Sequence, residues 1–105
     1  MIGMASIESK DIHKIVVACD AGMGSSVMLA GQLRKQLKGS SVTVEHTPVD
    51  RIPADADVVL CHVALADRAR ATAPGKPLVP FQIFIGDPAV NKLVATIKSG
   101  GTVNA

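Results

Sequence analysis

The sequence predicts a single α/β domain built on an open parallel four-stranded sheet, strand order 2-1-3-4, with helices on both faces. Short apolar runs near 14–19, 42–45, 57–61 and 78–84 alternate with helix-period segments near 27–38, 64–72 and 88–98. Strands that alternate with helices close as right-handed crossovers in a parallel sheet. The third run, Asp57-Val58-Val59-Leu60-Cys61, is apolar almost throughout, as a strand covered on both faces must be. A chain of 105 residues with 48% hydrophobic content has enough material for one core and too little for two.

Taken in order, residues 1–12 carry no pattern and read as a flexible leader, residues 13–99 as the domain, and residues 100–105 as a flexible tail. Lys14-Ile15-Val16-Val17-Ala18 is the first strand and delivers Cys19 to the carboxyl edge of the sheet, where open α/β sheets place their ligands. Val27, Ala30, Leu33 and Leu37 then recur at helical spacing, with Arg34, Lys35 and Lys38 on other faces and Gly39 as a stop. Val42-Thr43-Val44-Glu45 is the second strand. Ala64 to Thr72 forms a helix carrying Asp67, Arg68 and Arg70, Leu78 to Phe84 the fourth strand, and Pro88 to Lys98 the last helix. Pro80 has no amide hydrogen to give a second neighbour, so the fourth strand belongs at an edge. With the first and third strands central, 2-1-3-4 is the simplest order.

Composition removes several classes of function. The formal charge of +2 comes from dispersed basic residues, and Phe81 and Phe84 are the only aromatics, so a nucleic-acid surface is not expected. Apolar runs stop after a few residues, against about 20 for a membrane span, and Met1 to Lys10 lacks the apolar core of a signal peptide. No membrane insertion is expected, and a cytoplasmic location is. Two cysteines without a Cys-x-x-Cys pair suit free thiols in a reducing compartment. His13 and His46 fall outside the predicted carboxyl rim and no histidine or cysteine pair has ligand spacing, so neither a metal nor another cofactor is expected.

The chemistry concentrates in Cys19-Asp20-Ala21-Gly22-Met23-Gly24-Ser25-Ser26. Gly22 and Gly24 let the main chain approach a ligand closely, and Ser25 or Ser26 can cap a helix whose unpaired N–H groups point back at the cysteine. Such a loop prefers a phosphate dianion, and the same field favours the thiolate of Cys19, the nucleophilic form. Asp20 opposes that thiolate unless it bonds loop amides or turns outward. His62, at the end of the third strand, either donates to the thiolate or phosphoryl group or is a satisfied strand-end histidine. Cys61 reads first as a small apolar strand residue, with an oxidative lock by disulfide to Cys19 as the alternative. Met23 and Met28 are either core filler or a docking surface beside the reactive group, and Arg68 and Arg70 read first as a solvated helix face, with phosphate ligands as the alternative.

The run Lys14-Ile15-Val16-Val17-Ala18-Cys19-Asp20-Ala21-Gly22-Met23-Gly24-Ser25-Ser26 resembles the enzyme IIB components of the bacterial phosphoenolpyruvate-dependent sugar phosphotransferase system, most closely the mannitol class. Leu33-Arg34-Lys35 and His62 with Asp67-Arg68-Ala69 extend the likeness over roughly residues 13 to 73, while the chain from Gly75 onward departs from the mannitol pattern. Ascorbate-class relatives carry a similar Cys-x-x-Gly-x-Gly-Ser-Ser loop, and lactose/cellobiose-class relatives are further candidates. The resemblance implies a phosphocarrier: phosphohistidine on enzyme IIA donates to Cys19, residues Asp20 to Ser26 bind the phosphoryl group, and the group passes to a sugar or sugar alcohol, mannitol as first choice, held in membrane enzyme IIC. It implies attachment to the inner face of the membrane through IIC.

The loop is also similar to that of low-molecular-weight tyrosine phosphatases, a Rossmann-like fold, in which an arginine follows the cysteine after five residues. Here that sixth position is Ser25, so the bidentate clamp on the equatorial oxygens is missing and hydrolysis is expected to be poor. A phosphatase-like hydrolase and a non-catalytic phosphate-sensing module are the rival readings.

Overall fold

The computed structural model describes residues 6–19, 24–83 and 86–104. In chain order these form β1 (Ser6–Glu8), β2 (Lys14–Cys19), α1 (Gly24–Gln36), β3 (Thr43–Pro48), β4 (Val58–His62), α2 (Ala66–Thr72), β5 (Leu78–Phe81), α3 (Pro88–Ser99) and β6 (Thr102–Asn104). Single 3-10 turns precede β2, follow β3 and join β4 to α2.

The main sheet has the order β3-β2-β4-β5 and is parallel throughout, the 2-1-3-4 arrangement predicted. The register aligns Ile15 with Val44 and Val58, and Val59 with Leu78. Side chains alternate across the sheet and sort the core into two layers. Ile15 and Val17, with Val58, Leu60, Val79 and Phe81, meet Leu29, Ala30 and Leu33 of α1, Leu37 just after it, and Val90, Leu93, Val94 and Ile97 of α3. On the opposite face Val16, Ala18, Val59, Cys61 and Leu78 meet Val49, Leu65, Ala66 and Ala69. β2 and β4 are buried on both faces, which is why their sequences are nearly all apolar.

β5 is the edge strand and ends at Phe81; Phe84, expected within it, lies outside the described residues. The amide of Val59 donates to the Pro77 carbonyl, so main-chain groups of residues 77, 79 and 81 face β4. Those of Pro80 face outward, where its missing N–H costs the ladder nothing and withholds a donor from any further strand.

α3 follows the punctuation of its sequence. Asp87 is the N-cap, Pro88 occupies the first turn, and Gly100 at φ +78° ends the helix with its amide and that of Gly101 returning to the Ile97 and Thr96 carbonyls. α1 differs from its predicted stripe: Leu29, Ala30, Leu33 and Leu37 are buried, whereas Val27 is exposed. A second sheet was not anticipated. β1 pairs antiparallel with β6, Ser6 opposite Asn104 and Glu8 opposite Thr102, within stretches read from sequence as leader and tail. Ser9 fastens the pair, its hydroxyl donating to the carbonyls of Thr96 and Gly101, and Ile12 and Val103 join the α1/α3 core layer.

Candidate functional site

The parallel sheet brings the carboxyl ends of β2, β4 and β5 to one edge, and β2 ends there on Cys19, which is partly exposed. The Cys19 thiol donates weakly to the Thr47 carbonyl of the neighbouring strand at 3.6 Å. Asp20, Ala21, Gly22 and Met23 lie outside the described residues. Chain direction resumes at Gly24, the first residue of α1, so the N-terminal end of a 13-residue helix follows the nucleophile by four intervening residues. Gly24, Ser25 and Ser26 form that first turn, which carries no carboxylate, while Arg34 and Lys35 occupy the last. No carboxylate in that turn offsets the positive end of the helix dipole, which favours an anion.

His62 closes β4 one position beyond the aligned pair Ala18 and Cys61. Alternation puts Cys19 with Ile15 and Val17, and His62 with Val58 and Leu60, on the α1/α3 face. The amide of Ala64 donates to His62 Nδ1 at 3.1 Å, and the ring stands edge-on to Phe81, centroids 6.1 Å apart. Phe81 is the residue aligned with His62 on β5.

Cys61 belongs to the other face. It is fully buried beside Val16, Ala18 and Val59, and burial pushes its thiol up to about 11, with the charge of Arg70 acting against the rise. The alternative of a lock with Cys19 meets a geometric obstacle, since a disulfide across the sheet plane would require one strand end to turn over.

The two arginines of α2 make exposed ion pairs, Arg68 Nη2 with Asp50 at 3.3 Å and Arg70 Nη1 with Asp67 at 3.6 Å. Met28 is exposed on α1 rather than packed in the core. With Val27, Val63 and Ile83 it completes the set of large apolar side chains that stand 42–60% exposed among the described residues. Val63 and Ile83 directly follow the carboxyl ends of β4 and β5 and give the edge that carries Cys19 an exposed apolar rim, while Val27 and Met28 lie further on, in α1, Met28 beside Gly31, Gln32 and Lys35.

One residue here was not singled out from sequence. Asp87 is buried, and its carboxylate accepts from the amides of Gln82 and Ile83 through Oδ2 and of Ala89 through Oδ1. Desolvation pushes this carboxyl up, but the amides of Gln82, Ile83, Ala89 and Val90 outweigh it and hold it below the usual carboxylate range. Asp87 thereby ties the segment after β5, with exposed Ile83, to the start of α3. Aspartate followed by proline ahead of a helical pattern is the signal that marks it.

Comparison with known proteins agrees with this geometry. The profile of the family described as "PTS system, Lactose/Cellobiose specific IIB subunit" matches residues 14–96. The chain is 38% identical over 94 residues to a protein of Halalkalibacterium halodurans named "PTS system mannitol-specific EIICB component", covering 88% of this chain and 20% of that protein. It is 40% identical over 93 residues to a Vibrio cholerae "PTS system mannitol-specific EIICBA component", covering 87% of this chain and 14% of that one. It is 40% identical over 84 residues to an Escherichia coli K12 "PTS system mannitol-specific cryptic EIICB component", covering 78% and 18%. The chain thus spans a fifth or less of the length of these curated relatives. A profile matched from β2 to α3, over a parallel sheet that ends on Cys19, shows that the chain belongs to the phosphotransferase-system IIB family.

Proposed function

We propose that this chain is a phosphocarrier that takes a phosphoryl group onto Cys19 from phosphohistidine of an enzyme IIA and passes it to a sugar alcohol, mannitol first among them, held by a membrane enzyme IIC. The observation that carries the reading is the coincidence of nucleophile, helix N-terminus and exposed apolar rim on one edge of the sheet.

In the first step the Cys19 thiolate attacks phosphorus in line, the N–P bond to the donor histidine breaks and an S–P bond forms. In the second a sugar hydroxyl attacks, its proton passes to a base of the acceptor component or to solvent, and the S–P bond breaks to return the thiolate. Both steps need positioning and charge stabilisation, which loop amides from Asp20 to Ser26 and the α1 dipole supply. Ser25 in place of a clamping arginine leaves water poorly served, so the phosphocysteine persists until an acceptor docks. Among the described residues no helix is long and apolar enough to cross a membrane. The relatives named EIICB and EIICBA support contact with the membrane through a IIC partner, at its cytoplasmic face.

The test is intact-protein mass after incubation with phosphoenolpyruvate, enzyme I, HPr and a mannitol-class IIA. The wild type should gain one phosphoryl group and Cys19→Ser none. A wild type that stays unmodified with several classes of IIA, yet releases product from an aryl phosphate, would return the reading to a phosphatase.

A further inference from the structure

We propose that His62 is a phosphoryl-binding residue of this site whose ring nitrogen can donate a hydrogen bond but cannot serve as a base. The role rests on the carrier reading of Cys19. His62 ends β4, the strand next to β2, and alternation places both side chains on the α1/α3 face, separated by the strand spacing of about 5 Å. The Ala64 amide donates to Nδ1 at 3.1 Å, so the lone pair of that nitrogen is engaged and the neutral ring carries its proton at Nε2. The edge-on contact with Phe81 on the far side fixes the plane of the ring. The same turn that lets the chain leave β4 for α2 therefore sets the tautomer.

The chemical consequence separates transfer from hydrolysis. Donating to Cys19, the Nε2–H stabilises the thiolate before transfer and a phosphoryl oxygen after it, with no proton changing hands. A water molecule beside the phosphocysteine finds no free imidazole lone pair on this ring to take its proton. A histidine next to a nucleophilic cysteine would ordinarily suggest general-base chemistry; this one is turned to the opposite use by one backbone amide.

Two substitutions separate donor from cap. His62→Asn keeps an oxygen near the Nδ1 position to accept from Ala64 and has nothing at the Nε2 position, whereas His62→Gln extends an amide N–H to that outer position. Phosphorylation of Cys19 by phospho-IIA, followed by quenched intact mass, should slow about tenfold or more in His62→Asn and largely recover in His62→Gln. The thermal midpoint should be near wild type in His62→Asn. Equal rates in wild type and His62→Asn would reduce His62 to a cap and overturn the role. Nitrogen NMR of the wild-type ring gives a check independent of any variant: Nε2 should be the protonated nitrogen and its signal should move on phosphorylation. A ring protonated at Nδ1, or a signal that does not move, would overturn it too. A wild type that gains no phosphoryl group would instead overturn the carrier reading and this role with it.

Discussion

Cys19 ends β2 and Cys61 is the last residue but one of the adjacent parallel β4, yet their side chains stand on opposite faces of the sheet. The aligned pair is Ala18 with Cys61, so Cys19 is one position out of step and falls in the layer of Ile15 and Val17. Cys61 is sealed among Val16, Ala18 and Val59. Iodoacetamide in the native protein should therefore modify Cys19 and spare Cys61, which at about 11 is roughly one-thousandth ionised at pH 8. Peptide mapping after peroxide, with and without reductant, should show no link between the two. A Cys19–Cys61 cross-linked peptide would contradict the alternation.

Asp87 predicts an acid-sensitive component of stability. Its carboxyl is held below the ordinary 3.8 in the folded chain, so its contribution is complete above that value and is lost as pH falls through the lower folded value. Asp87→Ala removes the α3 cap and the contacts with three amides, and should cost about 2 kcal/mol in urea unfolding at pH 7. The difference between wild type and variant should shrink below pH 3.8. A difference that grows on acidification would show that another group is responsible.

If the apolar rim meets a protein partner, Met28→Glu and Ile83→Glu should lower the second-order rate of Cys19 phosphorylation by about tenfold each. Both side chains are exposed, so their thermal midpoints should stay close to wild type. Unchanged rates in both variants would remove the rim from the docking face.

Leu33 and Val27 give opposite expectations although both sit on α1. Leu33 is fully buried and Leu33→Ala should cost about 3 kcal/mol, whereas Val27→Ala should change urea stability by less than about 0.5 kcal/mol. Comparable losses from the two would mean that Val27 is seated in the core.

The same pair shows what the sequence disclosed and where it stopped. Helical period placed Leu33 and Leu37 inward, but Val27, Ala30, Leu33 and Leu37 share their spacing whether or not the first of them reaches past the sheet. In the folded chain Val27 is exposed and Leu29 takes the buried place. Strand order was legible because Pro80 marks an edge and the run through Leu60 a centre. The β1–β6 pair was not, since three-residue strands carry almost no period and their pairing spans nearly the whole chain. His62 could be placed at the rim from sequence, but its tautomer depends on the turn bringing the Ala64 amide back to Nδ1.

That pairing of β1 with β6 has a consequence for how such a unit is carried from one protein to another. With Ser6 opposite Asn104, the first and last described strands run side by side, their Cα atoms about 5 Å apart. A unit whose two ends meet can be spliced into a longer polypeptide at a single point, because the segments it interrupts are scarcely pushed apart. It is the same property that makes an appended module and an inserted one interchangeable.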